Sequence, residues 1–182
     1  TAHAVELVRA KPGFVDAEFR TGNIDIDQIE DSITPRTRAL SVVHYLGMPV
    51  DMQRIMQIAA KHKLFVVEDC ALALGTYYKG THAGFLGDAG CFSFYPVKHM
   101  TTAEGGMLTT RHADLATAIS FQRAFGVDRS HTERSIPGTY DVTMLGLNYR
   151  MNEIEAAIGI EQLKRMPEFL RKENVNHVPA NA

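Results

Sequence analysis

Apolar and polar residues run along the chain in blocks whose period switches between that of a helix and that of a strand. Ala4, Leu7 and Val8 share one face of a short helix within residues 1–11, and Phe14 to Asp16 reads as a short strand ahead of the turn Thr21-Gly22-Asn23. Asp27 is placed to cap a helix running to about Ile33, which Thr34-Pro35 ends. Ala39 to Tyr45 is apolar and rich in β-formers, a buried strand broken off by Gly47 to Pro49. Asp51 then caps a helix through about His62, with Met52, Ile55, Met56 and Ala59 as its apolar stripe. Leu64 to Val67 and Cys91 to Tyr95 are two more short apolar runs, the second ending at Pro96. Beyond Gly105-Gly106 the pattern predicts a strand from Met107 to Thr110 and a helix from His112 to Phe125 through Leu115, Ile119 and Phe121. Gly126 to Asn148 is polar and interrupted, and reads as a long irregular segment. Met151 to Leu170 has helical spacing through Ile154, Ala157, Ile158, Ile160 and Leu163, and Pro167 is expected to kink or end it.

Helices alternating with strands argue an α/β fold: a central, mostly parallel sheet flanked by helices. The length of 182 residues suggests one domain. A hydrophobic fraction of 45% supplies a core, and a net charge of −2 without a basic block gives no footprint for nucleic acid. No apolar run reaches the length of a membrane span, and the first residues lack the basic-then-apolar pattern of a secretory signal. Cys70 and Cys91 lie in or beside apolar runs and read as buried free thiols, which fits a cytoplasmic protein. No Cys/His spacing resembles a zinc site.

The chemistry concentrates between Leu64 and Lys98. Glu68 and Asp69 stand at the end of one predicted strand, and Lys98 just past the next. In open α/β sheets, ligands bind outside the carboxyl ends of the strands. An acid and a lysine there suit pyridoxal 5'-phosphate (PLP), which takes a lysine as its covalent anchor and a carboxylate on its pyridinium nitrogen. Spacing alone is equally met by two solvated charges. Glu68 competes with Asp69, since alternation along a strand points the two opposite ways. Gly75, Gly80, Gly84, Gly87 and Gly90 punctuate the stretch between the strands and read as tight turns with positive φ.

The wording of VVEDCALALGTYYKG and GFLGDAGCFSFYPVKHMTTAEGG closely resembles the StrS/DegT family of PLP-dependent sugar aminotransferases, which have the fold-type I architecture of aspartate aminotransferase. The resemblance runs from about Phe14 to about Asn174 and includes GNIDIDQIEDSITPRTRAL, PVDMQRIMQIAAKHKLFVVED and LGLNYRMNEIEAAIGIEQL. It implies that Lys98 is the Schiff-base lysine, that Asp69 rather than Glu68 is the partner of the pyridinium nitrogen, and that Ser93 bonds the cofactor phosphate. It further implies that Asn148 reaches the phosphate of the PLP in a partner subunit, in a homodimer. The implied activity is transfer of an amino group, with glutamate as donor, to a keto sugar carried on a nucleoside diphosphate, within amino-sugar and polysaccharide biosynthesis. Against full-length members, the chain is expected to be part of the PLP-binding large domain, without the N-terminal phosphate-binding turn and the C-terminal small domain.

Two positions depart from the family pattern. Leu72 stands where the family generally has a glutamine or histidine near the phenolic oxygen of the cofactor, and it cannot hydrogen-bond. His44-Tyr45-Leu46-Gly47 places its aromatic residue one position early, so His44 reads either as a residue near the substrate or as a core histidine. Rival readings are an aminotransferase acting on a cyclitol or related cyclic ketone, a sugar dehydratase with histidine in place of the lysine, and a non-catalytic chain that binds a partner. Lys98 argues against the dehydratase, although His99 is adjacent.

Overall fold

The computed structural model describes residues 1–127, 136 and 139–173. Its centre is a four-stranded sheet of β1 (Ala39–Val43), β2 (Phe65–Asp69), β5 (Ala89–Ser93) and β6 (Gly106–Thr110), in the order β1-β2-β5-β6. β1, β2 and β5 run parallel and β6 closes the edge antiparallel to β5. A two-stranded hairpin, β3 (Tyr77–Tyr78) and β4 (Thr81–His82), stands apart. The helices are α1 (Ala2–Leu7), α2 (Ile29–Ser32), α3 (Met52–His62), α4 (Ala113–Gln122) and α5 (Glu153–Glu173).

α3 forms where the pattern places it. The Asp51 carboxylate accepts from the Arg54 amide at the first turn, and Lys63 ends the helix in the left-handed conformation. Met52, Ile55 and Ala59 from its stripe pack with Val42 of β1 and Val66 of β2. Burying a side chain such as Ile55 contributes about 1.5–3 kcal/mol, so this stripe is the main attachment of the helix to the sheet. A second cluster joins Phe92 and Phe94 to Cys70, Met100 and Met166 of α5, with Phe169 and Leu170 packed against it.

Several sequence expectations change. The strand read as buried from Ala39 to Tyr45 ends at Val43 and lies at the edge of the sheet, with Val42 alone of its residues buried. Phe14 to Asp16 is not a strand: the segment makes one rung, Ala17 to Ile24, around the Thr21–Asn23 turn, and Phe14 is exposed. The first capping acid is Asp25, not Asp27; its side chain accepts from the Asp27 amide and opens a 3-10 turn, Ile26–Gln28, before α2. Pro167 does not end α5, which continues to Glu173. Buried Met166 and half-buried Phe169 and Leu170 pack on the second cluster on both sides of the proline, and that packing offsets the cost of about 3 kcal/mol for a proline in a helix interior. The irregular stretch 126–148 lies partly outside the described residues; its two described rungs are Ala124 to Asn148 and Val127 to Val142.

Of the punctuating glycines, Gly75, Gly80 and Gly84 do have positive φ, whereas Gly87 and Gly90 serve close approach. A Cβ on Gly90 would lie 2.3 Å from Gly84 Cα, a backbone atom that cannot step aside. Gly80, with φ +82°, has nothing within 4 Å of such a Cβ. Gly80→Ala is therefore expected to cost about 1–2 kcal/mol, the left-handed backbone penalty alone. Gly90→Ala should exceed about 3 kcal/mol, as overpacking against backbone does. Thermal melting of the complete protein carrying each change ranks them, and equal shifts would contradict the packing at Gly90.

Candidate active site at the carboxyl edge of the sheet

Alternation along β2 separates its last two residues. Val66 and Glu68 face the core, while Phe65, Val67 and Asp69 take the opposite face. In the ladder Asp69 stands opposite Val43 of β1 and Cys91 of β5. Ser93, two residues beyond Cys91, falls on that same face, and both Asp69 and Ser93 are half-buried. Asp69 and Ser93 are thus brought to one face and one end of adjacent parallel strands.

The Asp69 carboxylate is held at both oxygens: Oδ1 accepts from the Ala71 amide at 3.1 Å, and Oδ2 from the Thr1 hydroxyl at 2.6 Å. The contact with Thr1 spans 68 residues, so no local pattern could have singled it out. Burial, with the Asp69 charge behind it, pushes the Cys91 thiol up, and burial does the same to Cys70 with help from Glu68. Both cysteines are protonated and poorly nucleophilic.

Lys98 follows β5 in a loop pinned at Phe94, whose carbonyl accepts from the Thr102 amide and the Thr101 hydroxyl. The Lys98 amide closes a turn on the Tyr95 carbonyl at 3.0 Å, and buried Met100 anchors the far side. The side chain is half-buried, and its amine has no hydrogen-bond or ion-pair partner among the described residues. Asn148 is exposed, on a segment strapped to the end of α4 by bonds from Leu147 to Gln122 and from Tyr149 to Arg123. It makes no hydrogen bond to Asp69, Ser93 or Lys98, and a cluster of exposed apolar side chains surrounds it in sequence: Leu145, Leu147, Tyr149 and Ile154.

Glu68 has a separate role. It is fully buried and its carboxylate accepts four hydrogen bonds: from His44 Nε2 at 3.0 Å and the Gly84 amide at 2.8 Å on one oxygen, and from the Leu86 and Gly87 amides at 2.9 and 2.6 Å on the other. Four acceptances use the full capacity of a carboxylate. His44, equally buried, accepts from the Val50 amide at Nδ1, which leaves the ring proton on Nε2 to be donated to Glu68. Of the two readings of His44, the core histidine holds. His44, Glu68 and Cys70 also place ligand atoms within 4.8 Å of one another. With Glu68 saturated, both His44 nitrogens engaged and Cys70 protonated, this trio is a hydrogen-bonded core and not a metal centre.

A mostly parallel sheet with a carboxylate and a hydroxyl at its carboxyl edge, and an amine on the following loop, has the fold-type I aminotransferase architecture. Residues 1–178 match the model of the DegT/DnrJ/EryC1/StrS aminotransferase family, and the chain belongs to that family. It is 42% identical over 170 residues to the GDP-perosamine synthase of Caulobacter vibrioides, covering 93% of this chain and 44% of that protein. It is 43% identical over 159 residues to the UDP-N-acetyl-3-dehydro-alpha-D-glucosamine 3-aminotransferase of Acidithiobacillus ferrooxidans, covering 87% of this chain and 41% of that one. Among solved structures it superposes, with a TM-score of 0.88 and 27% identity, on a Streptococcus pneumoniae protein described as a sugar aminotransferase and solved in its PMP form, covering 95% of this chain and 49% of that one. The chain thus spans somewhat under half the length of these relatives.

Burial pushes the Glu68 carboxyl up, but the hydrogen bonds from His44 and from the Gly87 and Gly84 amides outweigh it and hold the group below the usual glutamate range. Its folded value lies under its unfolded one, so its contribution is present above about pH 4.3 and fades as pH falls through the folded value. Glu68→Gln should cost about 3 kcal/mol near neutrality, because it leaves buried donors without an anionic acceptor. The gap in melting temperature between parent and variant should narrow below about pH 4.3. A gap that stays constant to pH 3 would contradict an ionised Glu68.

Proposed function

We propose that the complete protein is a cytoplasmic, PLP-dependent aminotransferase that converts a nucleotide-linked keto sugar to an amino sugar, with glutamate as the amino donor. The observation that carries this reading is the donor set at the carboxyl edge: Asp69 and Ser93 share one face, and the amine of Lys98, without a partner among the described residues, is on the loop beyond Ser93. An amine, a carboxylate and a hydroxyl are the groups that PLP needs for its aldehyde, its pyridine nitrogen and its phosphate. The names of the two enzymes compared above support nucleotide-linked sugars as the substrate class, and the PMP form of the streptococcal protein supports the cofactor. Among the described residues no helix is long and apolar enough to cross a membrane.

In this reading Lys98 holds the cofactor through its amine. Bound there, PLP supplies an electron sink for the carbon that carries the transferred nitrogen. Asp69, fixed by Ala71 and Thr1, holds the proton on the pyridine nitrogen through its charge. Ser93 donates its hydroxyl to the phosphate. Lys98 Nζ would also be the group placed to carry the proton taken from the substrate carbon. Leu72, half-buried three residues past Asp69, offers no hydrogen bond to the phenolic oxygen. The chain forms part of the PLP-binding large domain.

We assign Asn148 to the cofactor phosphate of a second subunit. Its exposure, its separation from the other three residues and the apolar side chains around it suit a position at a subunit interface. The complete protein should show a visible absorbance band of bound PLP that disappears in Lys98→Ala, and a Lys98→Ala protein that keeps the band would refute the assignment. Mixing inactive Lys98→Ala subunits with Asn148→Ala subunits should restore activity above the sum of the parents, since shared sites put both defects in one of the two. Activity no greater than that sum, with subunit exchange verified, would place Asn148 outside the partner's site.

A further inference from the structure

His44 makes three bonds, two of which reach the end of β2. Its backbone N–H donates to the Asp69 carbonyl at 3.2 Å, its Nε2–H to the Glu68 carboxylate, and its Nδ1 accepts from Val50. The residues on either side of the β2 terminus are thereby tied to the carboxyl end of β1. On the other side, the Cys70 amide donates to the Cys91 carbonyl at 2.8 Å. The peptide that carries Asp69 is clamped from both neighbouring strands, and its side chain is aimed at the open face.

The same histidine fixes the turn beyond β1. Val50 bonds Nδ1, Asn23 accepts from the Tyr45 amide and donates to the Met48 carbonyl, and Thr76 donates to the Gly47 carbonyl. Leu46 is held in the left-handed region at φ 49°, where a leucine is rarely found unless its surroundings impose it. This rigid turn lies at the same edge of the sheet as Asp69.

We propose that His44 is a positioning residue for the cofactor: through the Nε2–H bond to Glu68 it sets the register and tilt of the β2 terminus, and so the placement of the Asp69 carboxylate. The proposal rests on the PLP reading above. A displacement of the order of 1 Å at a reacting group costs about a hundredfold in rate, so a clamp one residue away from the carboxylate is felt in the chemistry.

Two variants in the complete protein separate the bonds. His44→Gln keeps an N–H at the place of Nε2; His44→Asn keeps an acceptor near Nδ1 but cannot reach Glu68. His44→Asn should weaken PLP binding about tenfold, the effect of a misplaced Asp69 forfeiting one charge-assisted hydrogen bond to the cofactor, and should shift the pH midpoint of the visible band. His44→Gln should restore both toward the parent. If both variants melt lower as apoproteins yet bind PLP with the parent affinity and midpoint, His44 is structural only and the proposal fails. Should His44→Asn not fold, the unsubstituted protein decides: the Nε2–H resonance of His44 is expected to move when PLP is added, and an unmoved resonance overturns the proposal. Lys98→Ala and Asp69→Asn belong in the same series. If neither alters PLP binding, the cofactor reading itself is wrong; if both do and His44→Asn does not, only the positioning role is lost.

Discussion

The structure depends on how one strand disposes of two adjacent carboxylates. Glu68 goes inward, where a buried charge is tolerated only with its full complement of donors, and it finds them in His44 and three backbone amides. Those donors come from 16 to 24 residues away, so the one carboxylate knots β1, β2 and the Gly84–Gly87 turn together. Asp69 is then obliged by the two-residue period of the strand to point the other way, to the face shared with Ser93. The inward acid fixes the fold, and the outward acid is left for chemistry.

The glycines serve the same arrangement. Glu68 can accept from Gly84 and Gly87 only if the turn lies hard against β2 and β5. A side chain at Gly87 would press on the Val66 carbonyl at 2.9 Å and one at Gly90 on Gly84 itself. At the other end, α5 passes directly over Gly75, where a Cβ would meet the Leu170 side chain at 2.3 Å. The absence of side chains at these points is what allows the helix, the Gly84–Gly87 turn and the sheet to close around the segment from Cys70 to Gly75, immediately after the acid.

Most of the sheet and α3 were legible in the sequence because their signals are local: a short apolar run, a capping Asp51, a stripe at helical spacing. What was not legible depends on contacts far apart in the chain. Pro167 reads as a helix end, and only the packing of Met166, Phe169 and Leu170 on the second cluster carries α5 past it. The β3–β4 hairpin, two residues to a strand, is too short to leave a period and shows only as the Lys79-Gly80 turn. The antiparallel course of β6 has no signature within its five residues. For the site, alternation alone separated Glu68 from Asp69, but which of them lies inside follows from the partners of Glu68, 16 or more residues distant. The hold of Thr1 on Asp69 is of the same kind.

The division of labour between the two acids can be measured on the cofactor. The complete protein, loaded with PLP labelled with nitrogen-15 in the ring, should show a protonated pyridine nitrogen at neutral pH. In Asp69→Ala that resonance should move to the position of the unprotonated ring, while in Glu68→Gln, if folded, it should stay where it was. A ring nitrogen that remains protonated without Asp69 would contradict the assignment of the outward carboxylate to the cofactor.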